Sequence, residues 1–337
     1  MAKRKLYIHV GPHKTGSSTI QRGLVLNRNA LQIKGFDYPD VAFSFNGQHG
    51  LVRDLKGNLD PKVGGLNDLV QYARASNNHM ILSSETFDAI NSATPLHRLK
   101  RAFADLFTIR IIAYLRPQEE LLQSLWKTKT QFINLRNNFN EWIPWALKEN
   151  KFLKYDEWLS VFEQVFGKAN LHIKIYDPST DDLLFQLLKI CSISDFSEFK
   201  AQDRANISYS GLSFELARKL LEHPFAEHLR NAKDLGSLKT ENVLAIITDF
   251  LRSERLDTTQ SLYSADNLKR VRQHFKPHNQ KTARRYFDRA QLFENPQRLK
   301  PSRGKLTDQL SPDQILRLCG VLIEMEQARA RQEPSKV

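Results

Sequence analysis

The stretch HVGPHKTGSSTIQ near the N-terminus constrains the fold of this chain more than any other feature of its sequence. Gly11 and Gly16 have the G-x-x-x-x-G spacing of a nucleoside-triphosphate loop, but that motif places Lys and Ser or Thr directly after the second glycine. Here Ser17 and Ser18 follow, and the lysine lies inside the loop at Lys14. A glycine-rich turn that opens a helix directs backbone N–H groups at an anion. The stretch therefore predicts an anion-binding loop. The alternative is a plain strand–turn–helix junction capped by one of the serines.

Short apolar runs alternate with helical patterns over the first 200 residues. This alternation predicts an α/β fold with three layers, in which a parallel sheet is flanked by helices. The predicted strands are 5–11, 79–84, 108–115 and 170–177. The predicted helices are 17–29, one that starts at Pro117, and 181–191.

The rest of the chain has a weaker pattern. The stretch 35–66, rich in Gly, Asn and Pro, is predicted to be a long loop near the site. The C-terminal part is predicted to be mostly helical and to end with an amphipathic helix over 313–329. We expect a single domain over 1–337, with an α/β core over 1–200 and a helical, basic part over 201–330.

The composition narrows the class of protein. The 337 residues carry a formal net charge of +13, which favours an anionic partner. The segment 267–305 contains 12 Lys and Arg against 2 Asp and Glu. The two cysteines, Cys191 and Cys319, make a disulfide framework or a cysteine zinc site unexpected. Because the N-terminus lacks the apolar core of a signal peptide and no run approaches ~18 apolar residues, we expect a cytoplasmic protein without a membrane span.

The loop GPHKTGSSTIQ resembles the 5′-phosphosulfate loop of sulfotransferases that use 3′-phosphoadenosine 5′-phosphosulfate (PAPS). In that family the loop lysine precedes Thr-Gly-Ser/Thr, as it does here. The resemblance implies a P-loop NTPase-like sulfotransferase fold and the use of PAPS, with adenosine 3′,5′-bisphosphate as product and no metal requirement. The residues it assigns to donor binding are Gly11, His13, Lys14, Thr15, Gly16, Ser17, Ser18 and Thr19.

A second element strengthens the resemblance. In the family, an arginine at a strand end and a serine eight residues later bind the 3′-phosphate of the donor, and YLRPQEELLQSLW supplies Arg116 and Ser124 at that spacing. The arginine offers a permanently charged, planar fork to phosphate. Eight residues is a little over two helical turns, so the serine can face the same groove. The alternative is a surface arginine at a strand end and an unremarkable helical serine.

Weaker similarity extends over about two-thirds of the chain. Residues 156–177 resemble the helix and strand before the late core of the family, and 278–287 resembles the basic end of bacterial carbohydrate sulfotransferases. The RKG-containing loop of cytosolic small-molecule sulfotransferases is absent, and SRGK at 302–305 matches it only loosely. The resemblance thus implies a carbohydrate or glycolipid acceptor. It implies no nucleic acid and leaves a peripheral membrane contact open.

Two residues are candidates for the general base that deprotonates the acceptor. Glu85 ends the second predicted strand and resembles the catalytic glutamate of glycosaminoglycan sulfotransferases; the alternative places it in the first turn of the next helix, where it complements the helix dipole. His49 lies in the predicted loop, and histidine suits base chemistry near neutral pH; the alternative is a loop histidine that binds substrate or nothing. His13 is expected to contact the donor.

Four basic side chains are candidates for holding an acidic acceptor: Lys127, Lys129, Arg284 and Arg285. The alternative for each is solvated charge. The segment 267–305 as a whole is expected to border either the donor 3′-phosphate or an anionic glycan.

Three other functions compete with sulfuryl transfer. A nucleotide kinase or NTPase needs the lysine directly after the second glycine and an acidic metal ligand, for which only Glu85 or Asp88 is available. A nucleic-acid-binding protein fits the basic composition, but the chain has no helix-turn-helix, zinc or RNP-type signal. A sulfotransferase fold that binds the nucleotide without turnover remains a third alternative, although Lys14, Arg116 and Ser124 are intact.

Overall fold

The computed structural model of this chain describes residues 3–133, 137–177, 183–201, 209–222, 240–254, 256, 261–294, 299–302 and 310–330. It divides into two compact units. The first comprises Met1–Leu121, Glu149–Ala205 and His274–Glu294, and the second comprises Leu122–Lys148, Asn206–Gln273 and Asn295–Val337. The predicted donor loop and both candidate bases lie in the first unit.

The first unit is built on a five-stranded parallel sheet in the order β2-β3-β1-β4-β5. Central strands of such a sheet are covered on both faces, which is why their sequences are almost continuously apolar. The chain leaves β1 and β3, which are neighbours, in opposite directions, so a crevice is expected at their carboxyl ends. The strands are β1 (Arg4–His9), β2 (Phe36–Asp37), β3 (His79–Ser83), β4 (Phe107–Leu115) and β5 (Leu171–Ile175).

Helices cover both faces of this sheet. On one face α1 packs against α9, and the core between them includes Tyr7, Leu24, Tyr114 and Leu184. On the other side α5 packs against α8, and α8 also contacts β4 and β5. The helices are α1 (Ser17–Leu26), α2 (Arg28–Ile33), α3 (His49–Leu55), α4 (Leu66–Ala75), α5 (Ala93–Phe103), α8 (Tyr155–Phe166) and α9 (Leu183–Ile190).

The second unit is helical in the part of it that the structure describes. Its core contains edge-to-face aromatic pairs between Trp126, Phe139 and Tyr263. Two helices begin in one unit and end in the other: α6 (Gln118–Ile133) and α12 (Ala265–Phe287). Its other helices are α7 (Phe139–Glu149), α10 (Gly211–Glu222), α11 (Thr240–Ser253) and α13 (Pro312–Ala330).

The predicted fold class is confirmed: a parallel sheet lies between helical layers, and the C-terminal part is helical. All four predicted strands form, each within two residues of its predicted ends. The prediction that 35–66 is one long loop is wrong, because it contains β2 and α3. Two residues of strand and seven of helix are too short for a periodic signal. The single domain over 1–337 stays a prediction.

The predicted C-terminal helix over 313–329 forms as α13. No helix in the described ranges combines the length and the apolar character that crossing a membrane requires.

His9, the last residue of β1, links the sheet to the pH dependence of stability. Its side chain is completely buried, and Nδ1 lies 2.8 Å from the Ser83 hydroxyl oxygen. Nε2 has no hydrogen-bond partner among the described residues. Burial disfavours the imidazolium and lowers the pKa of His9 from 6.5 to about 4, although the nearby Glu85 carboxylate opposes this shift.

The depressed pKa predicts acid destabilisation. Because the unfolded chain takes up this proton before the folded protein does, the stabilisation is complete above pH 6.5 and is lost as the pH falls toward 4. One pH unit corresponds to about 1.4 kcal/mol, so we expect the free energy of unfolding to fall by about 2 kcal/mol between pH 6.5 and 5 from this group. Urea unfolding at both pH values should show a smaller loss for His9→Asn; an equal loss would contradict the assignment.

Candidate functional site

The loop after β1 has the backbone of an anion site. Gly11 and Gly16 have φ of 82° and 81°, and Lys14 between them has φ of 66°. A Cβ on Gly11 would lie 2.8 Å from the Cα of Glu85, whereas one on Gly16 would meet the side chain of Leu183. Gly11 is therefore required twice, by its left-handed backbone and by the close approach of the Glu85 backbone, and Gly16 is required by its left-handed backbone.

The loop also leaves its amides available. Among the described residues, the backbone N–H groups of residues 14–18 have no hydrogen-bond acceptor. Consecutive free amides at the start of a helix form a concave site for an anion. The first turn of α1 contains no acidic residue that would compete for them.

Two of the loop hydroxyls are used within the loop. The Thr15 hydroxyl donates to the carbonyl oxygen of Pro12 over 2.7 Å, and the Ser17 hydroxyl donates to the same oxygen over 3.4 Å. Both side chains are buried, so they hold the turn together. Ser18 is exposed and Thr19 is half-buried, which leaves their hydroxyls at the surface of the first helical turn.

Lys14 and Arg116 form a positive pair beside these amides. Arg116 follows β4, and its Nη1 donates to the carbonyl oxygen of Lys14 over 3.1 Å. Burial lowers the pKa of Lys14, and the positive charge of Arg116 lowers it further, while Glu85 opposes the shift. Two like charges held together in a partly buried site favour the binding of an anion between them.

The Arg116 side chain has additional fixed contacts. Its Nε lies 3.1 Å from a carboxylate oxygen of Glu120, and its guanidinium carbon lies 5.4 Å from the ring centroid of Tyr176. Among the described residues, Nη2 has no hydrogen-bond partner. Ser124 lies in α6, as predicted, within the part of that helix that belongs to the second unit. Its role with Arg116 stays a prediction.

The structure brings both candidate bases together at the end of β3. Glu85 is the first residue of a short 3₁₀ helix (Glu85–Ala89) directly after that strand, and His49 is the first residue of α3. His49 Nε2 lies 3.9 Å from Glu85 Oε2, and His49 Nδ1 lies 2.7 Å from the Ser84 hydroxyl oxygen. The side-chain amide of Gln21, on α1, donates to Glu85 Oε2 over 2.6 Å.

Their environments set the ionisation of this pair. Burial lowers the pKa of His49, and the Glu85 carboxylate only partly opposes the shift, so the imidazole is neutral near pH 7. Burial would raise the pKa of Glu85, but His49 and the hydrogen bonds that the carboxylate accepts outweigh it, and the net pKa is lowered. Glu85 is therefore ionised at neutral pH.

His13 is held by an acidic partner. Its Nδ1 lies 2.6 Å from Oδ2 of Asp88, and its backbone N–H donates to the same oxygen over 3.2 Å. Burial would lower the pKa of His13, but Asp88 outweighs burial and raises it. His13 thus contributes positive charge to the loop more readily than an isolated histidine does. Its predicted contact with the donor stays a prediction.

A cavity of about 440 Å³ opens beside this cluster, which is within the range for small-ligand sites. Its lining includes Glu85, His49 and His13. Its other lining residues include Phe45, Val52, Arg53, Lys56, Asn58, Thr86 and Asp88.

The four basic candidates for acceptor binding are spread over both units. Lys127 and Lys129 lie in the second unit, where the Lys127 ammonium donates to the Tyr209 carbonyl oxygen over 2.9 Å and Lys129 lies 4.2 Å from the Trp145 ring centroid. Arg284 and Arg285 lie in the first unit. Arg285 forms an ion pair with Glu163, which offsets its charge, and Arg284 is exposed. None of the four lines the cavity beside Glu85.

Sequence reasoning missed several members of the site. Gln21 has no signal, because a glutamine on an amphipathic helix is ordinary. Arg53 and Lys56 belong to the stretch that the sequence predicts to be a loop, whereas α3 and its C-terminal cap place them on one helical face with His49. No group of three or more His, Cys, Asp or Glu side chains that could hold a metal occurs among the described residues.

Comparison with known proteins does not identify a family for this chain. No family model matches the chain, and no curated protein matches it. Among solved structures, the chain is similar to the crystal structure of a sulfotransferase from Alicyclobacillus acidocaldarius, with 16% sequence identity and a TM-score of 0.37. The match covers 70% of this chain and 96% of that one. A similarity of this strength assigns neither a family nor an activity.

Proposed function

We propose that this protein is a sulfotransferase that moves a sulfuryl group from PAPS to a hydroxyl of a carbohydrate or glycolipid. The observation that supports it most directly is the positive pair of Lys14 and Arg116 beside five backbone amides that have no acceptor in the part of the chain that the structure describes. That arrangement offers a compact, partly dehydrated site to a phosphosulfate. A basic composition alone would not predict this arrangement of charges and amides.

The side chains around the crevice supply the groups that sulfuryl transfer needs. The acceptor oxygen attacks sulfur, the bond from sulfur to the bridging phosphate oxygen breaks, and adenosine 3′,5′-bisphosphate leaves with that electron pair. The amides of residues 14–18 and the Lys14 ammonium stabilise negative charge that grows on the leaving oxygen. His49, beside Glu85, accepts the proton of the acceptor hydroxyl. The cavity next to both bases receives the acceptor.

The nucleotide affinity of an Arg116 variant tests whether the donor is PAPS. Calorimetric titration with adenosine 3′,5′-bisphosphate should show binding, and Arg116→Ala should weaken it by about tenfold or more, because a charge-assisted contact to phosphate is lost. Arg74→Ala, at an exposed arginine of α4, is the matched control and should leave the affinity unchanged. Unaltered affinity in Arg116→Ala would remove Arg116 from the site.

ATP with magnesium is the comparison ligand in the same titration. The position of Lys14 before the second glycine predicts that ATP–magnesium binds weakly or not at all. If it bound tightly and the bisphosphate did not, the loop would be a divergent triphosphate site and the proposal would fail.

A further inference from the structure

Phe45 is an aromatic side chain in an unusual position at the mouth of the cavity. It is 85% exposed and lines the cavity that also contains Glu85 and His49. It lies with Asn46 at the tip of a tight turn, in which Ser44 and Gly47 exchange both backbone hydrogen bonds. The φ angles at the tip are 48° for Phe45 and 69° for Asn46.

This backbone does not suit a phenylalanine. Two consecutive positive φ angles define a turn that favours Asn, Asp or Gly, and a bulky residue at positive φ is a conformational outlier. At 85% exposure, Phe45 also buries little of its apolar surface in return. A residue that is both strained and exposed indicates a functional role more than a structural one.

The turn that presents Phe45 is fixed to the scaffold. The Tyr38 hydroxyl donates to the Asn46 carbonyl oxygen over 2.6 Å, and the Gln48 backbone N–H donates to the Ser83 carbonyl oxygen over 2.9 Å. A Cβ on Gly47 would lie only 2.7 Å from that same carbonyl oxygen, so the turn contacts the end of β3 directly. Phe45 is therefore a preset surface beside the candidate bases.

Two cations line the same cavity. Arg53 and Lys56 both belong to α3 or its C-terminal cap, and both are exposed. Neither forms an ion pair or hydrogen bond with a side chain in the described ranges. Of the acids that share the cavity, Asp88 is paired with His13, and Glu85 stays ionised while it accepts a hydrogen bond from the neutral amide of Gln21. The two cations Arg53 and Lys56 therefore outnumber the unneutralised Glu85 carboxylate, and the cavity lining carries a net positive charge.

We propose that this cavity binds an acidic saccharide. The apolar face of a pyranose ring stacks on Phe45, and a carboxylate or sulfate of the sugar pairs with Arg53 and Lys56. This inference rests on the proposed function and names the class of its acceptor. It explains together the strained exposed aromatic, the excess of positive charge that Arg53 and Lys56 give the lining, and their common position next to the candidate bases.

Comparing the binding of neutral sugars with that of their uronic acids tests the role of the positive charges on Arg53 and Lys56. The probes are the methyl pyranosides of glucose, galactose and mannose, each compared with its uronic acid, titrated into the full chain by NMR with and without adenosine 3′,5′-bisphosphate. At least one acid should bind about fivefold more tightly than its neutral partner. Arg53→Gln with Lys56→Gln should remove this preference, and the control pair Lys62→Gln with Arg74→Gln, at exposed positions outside the cavity, should retain it.

Phe45→Asn tests the stacking. Because asparagine tolerates positive φ, this variant should raise the melting temperature while weakening acid and neutral sugars alike by about fivefold. Ile33→Ala, at another exposed apolar residue, should leave sugar affinity unchanged. Gain of stability with loss of affinity is not the behaviour of a merely structural residue.

The outcomes separate the two proposals. If the bisphosphate binds but no uronic acid binds more tightly than its neutral partner, the acidic-acceptor inference is overturned while the sulfotransferase proposal stands. If sugar affinity in Phe45→Asn equals that of the original chain, the stacking role is overturned. If acids are preferred but the bisphosphate does not bind, the cavity assignment holds and the donor assignment fails.

Discussion

Lys14→Ala is expected to lower kcat by about 100- to 1000-fold and to weaken binding of adenosine 3′,5′-bisphosphate by less than about tenfold. Lys14 lies at positive φ between the two loop glycines, next to the free amides. Its ammonium is partly buried and close to Arg116, so it is poorly compensated before reaction. Negative charge on the leaving oxygen grows during transfer, and the ammonium stabilises that charge more than it stabilises the bound donor.

Turnover and affinity must be measured separately on this variant. Single-turnover transfer from labelled PAPS gives the rate of the chemical step, and calorimetry with the bisphosphate gives the affinity. Lys62→Ala, an exposed lysine outside the loop, is the matched control and should change neither. Equal losses in rate and affinity would show that Lys14 only anchors the donor.

The loop is the part of the site that sequence predicts well, because everything in it is local. The two glycines, the lysine between them and the first turn of α1 are contiguous, and the strand–turn–helix geometry follows from their order. The central strands were equally predictable, since burial on both faces makes them continuously apolar. Arg116 was placed correctly at the end of β4 for the same reason.

The pairing of Glu85 with His49 was not predictable. The two residues were separate candidates on a strand end and in a loop. Their contact depends on a helix that begins at His49 and on the tight turn that ties its start to Ser83. Neither feature has a periodic signal, because a seven-residue helix and a two-residue strand are shorter than the windows in which periodicity can be measured. Because the same turn presents Phe45, the sequence does not predict the proposed acceptor surface either.

His49→Asn is expected to lower kcat/KM by about 100- to 10,000-fold, the usual contribution of a general base. An efficient base has a pKa near the working pH. Burial lowers the pKa of His49 from 6.5, so the imidazole is neutral at neutral pH and its Nε2 is able to accept a proton. Its Nδ1 is hydrogen-bonded to the Ser84 hydroxyl, and its Nε2 faces Glu85. His97→Asn, at an exposed histidine of α5, is the matched control.

The pH dependence of Glu85→Gln separates the two candidates. If His49 is the base, kcat/KM of the original chain falls tenfold per unit at a pH below 6.5, where the imidazole becomes protonated. The Glu85 carboxylate raises the pKa of His49, so Glu85→Gln should retain partial activity and shift this fall to lower pH. If Glu85 is the base instead, as the resemblance to glycosaminoglycan sulfotransferases implies, the fall lies below pH 4.5 and Glu85→Gln is inactive at every pH.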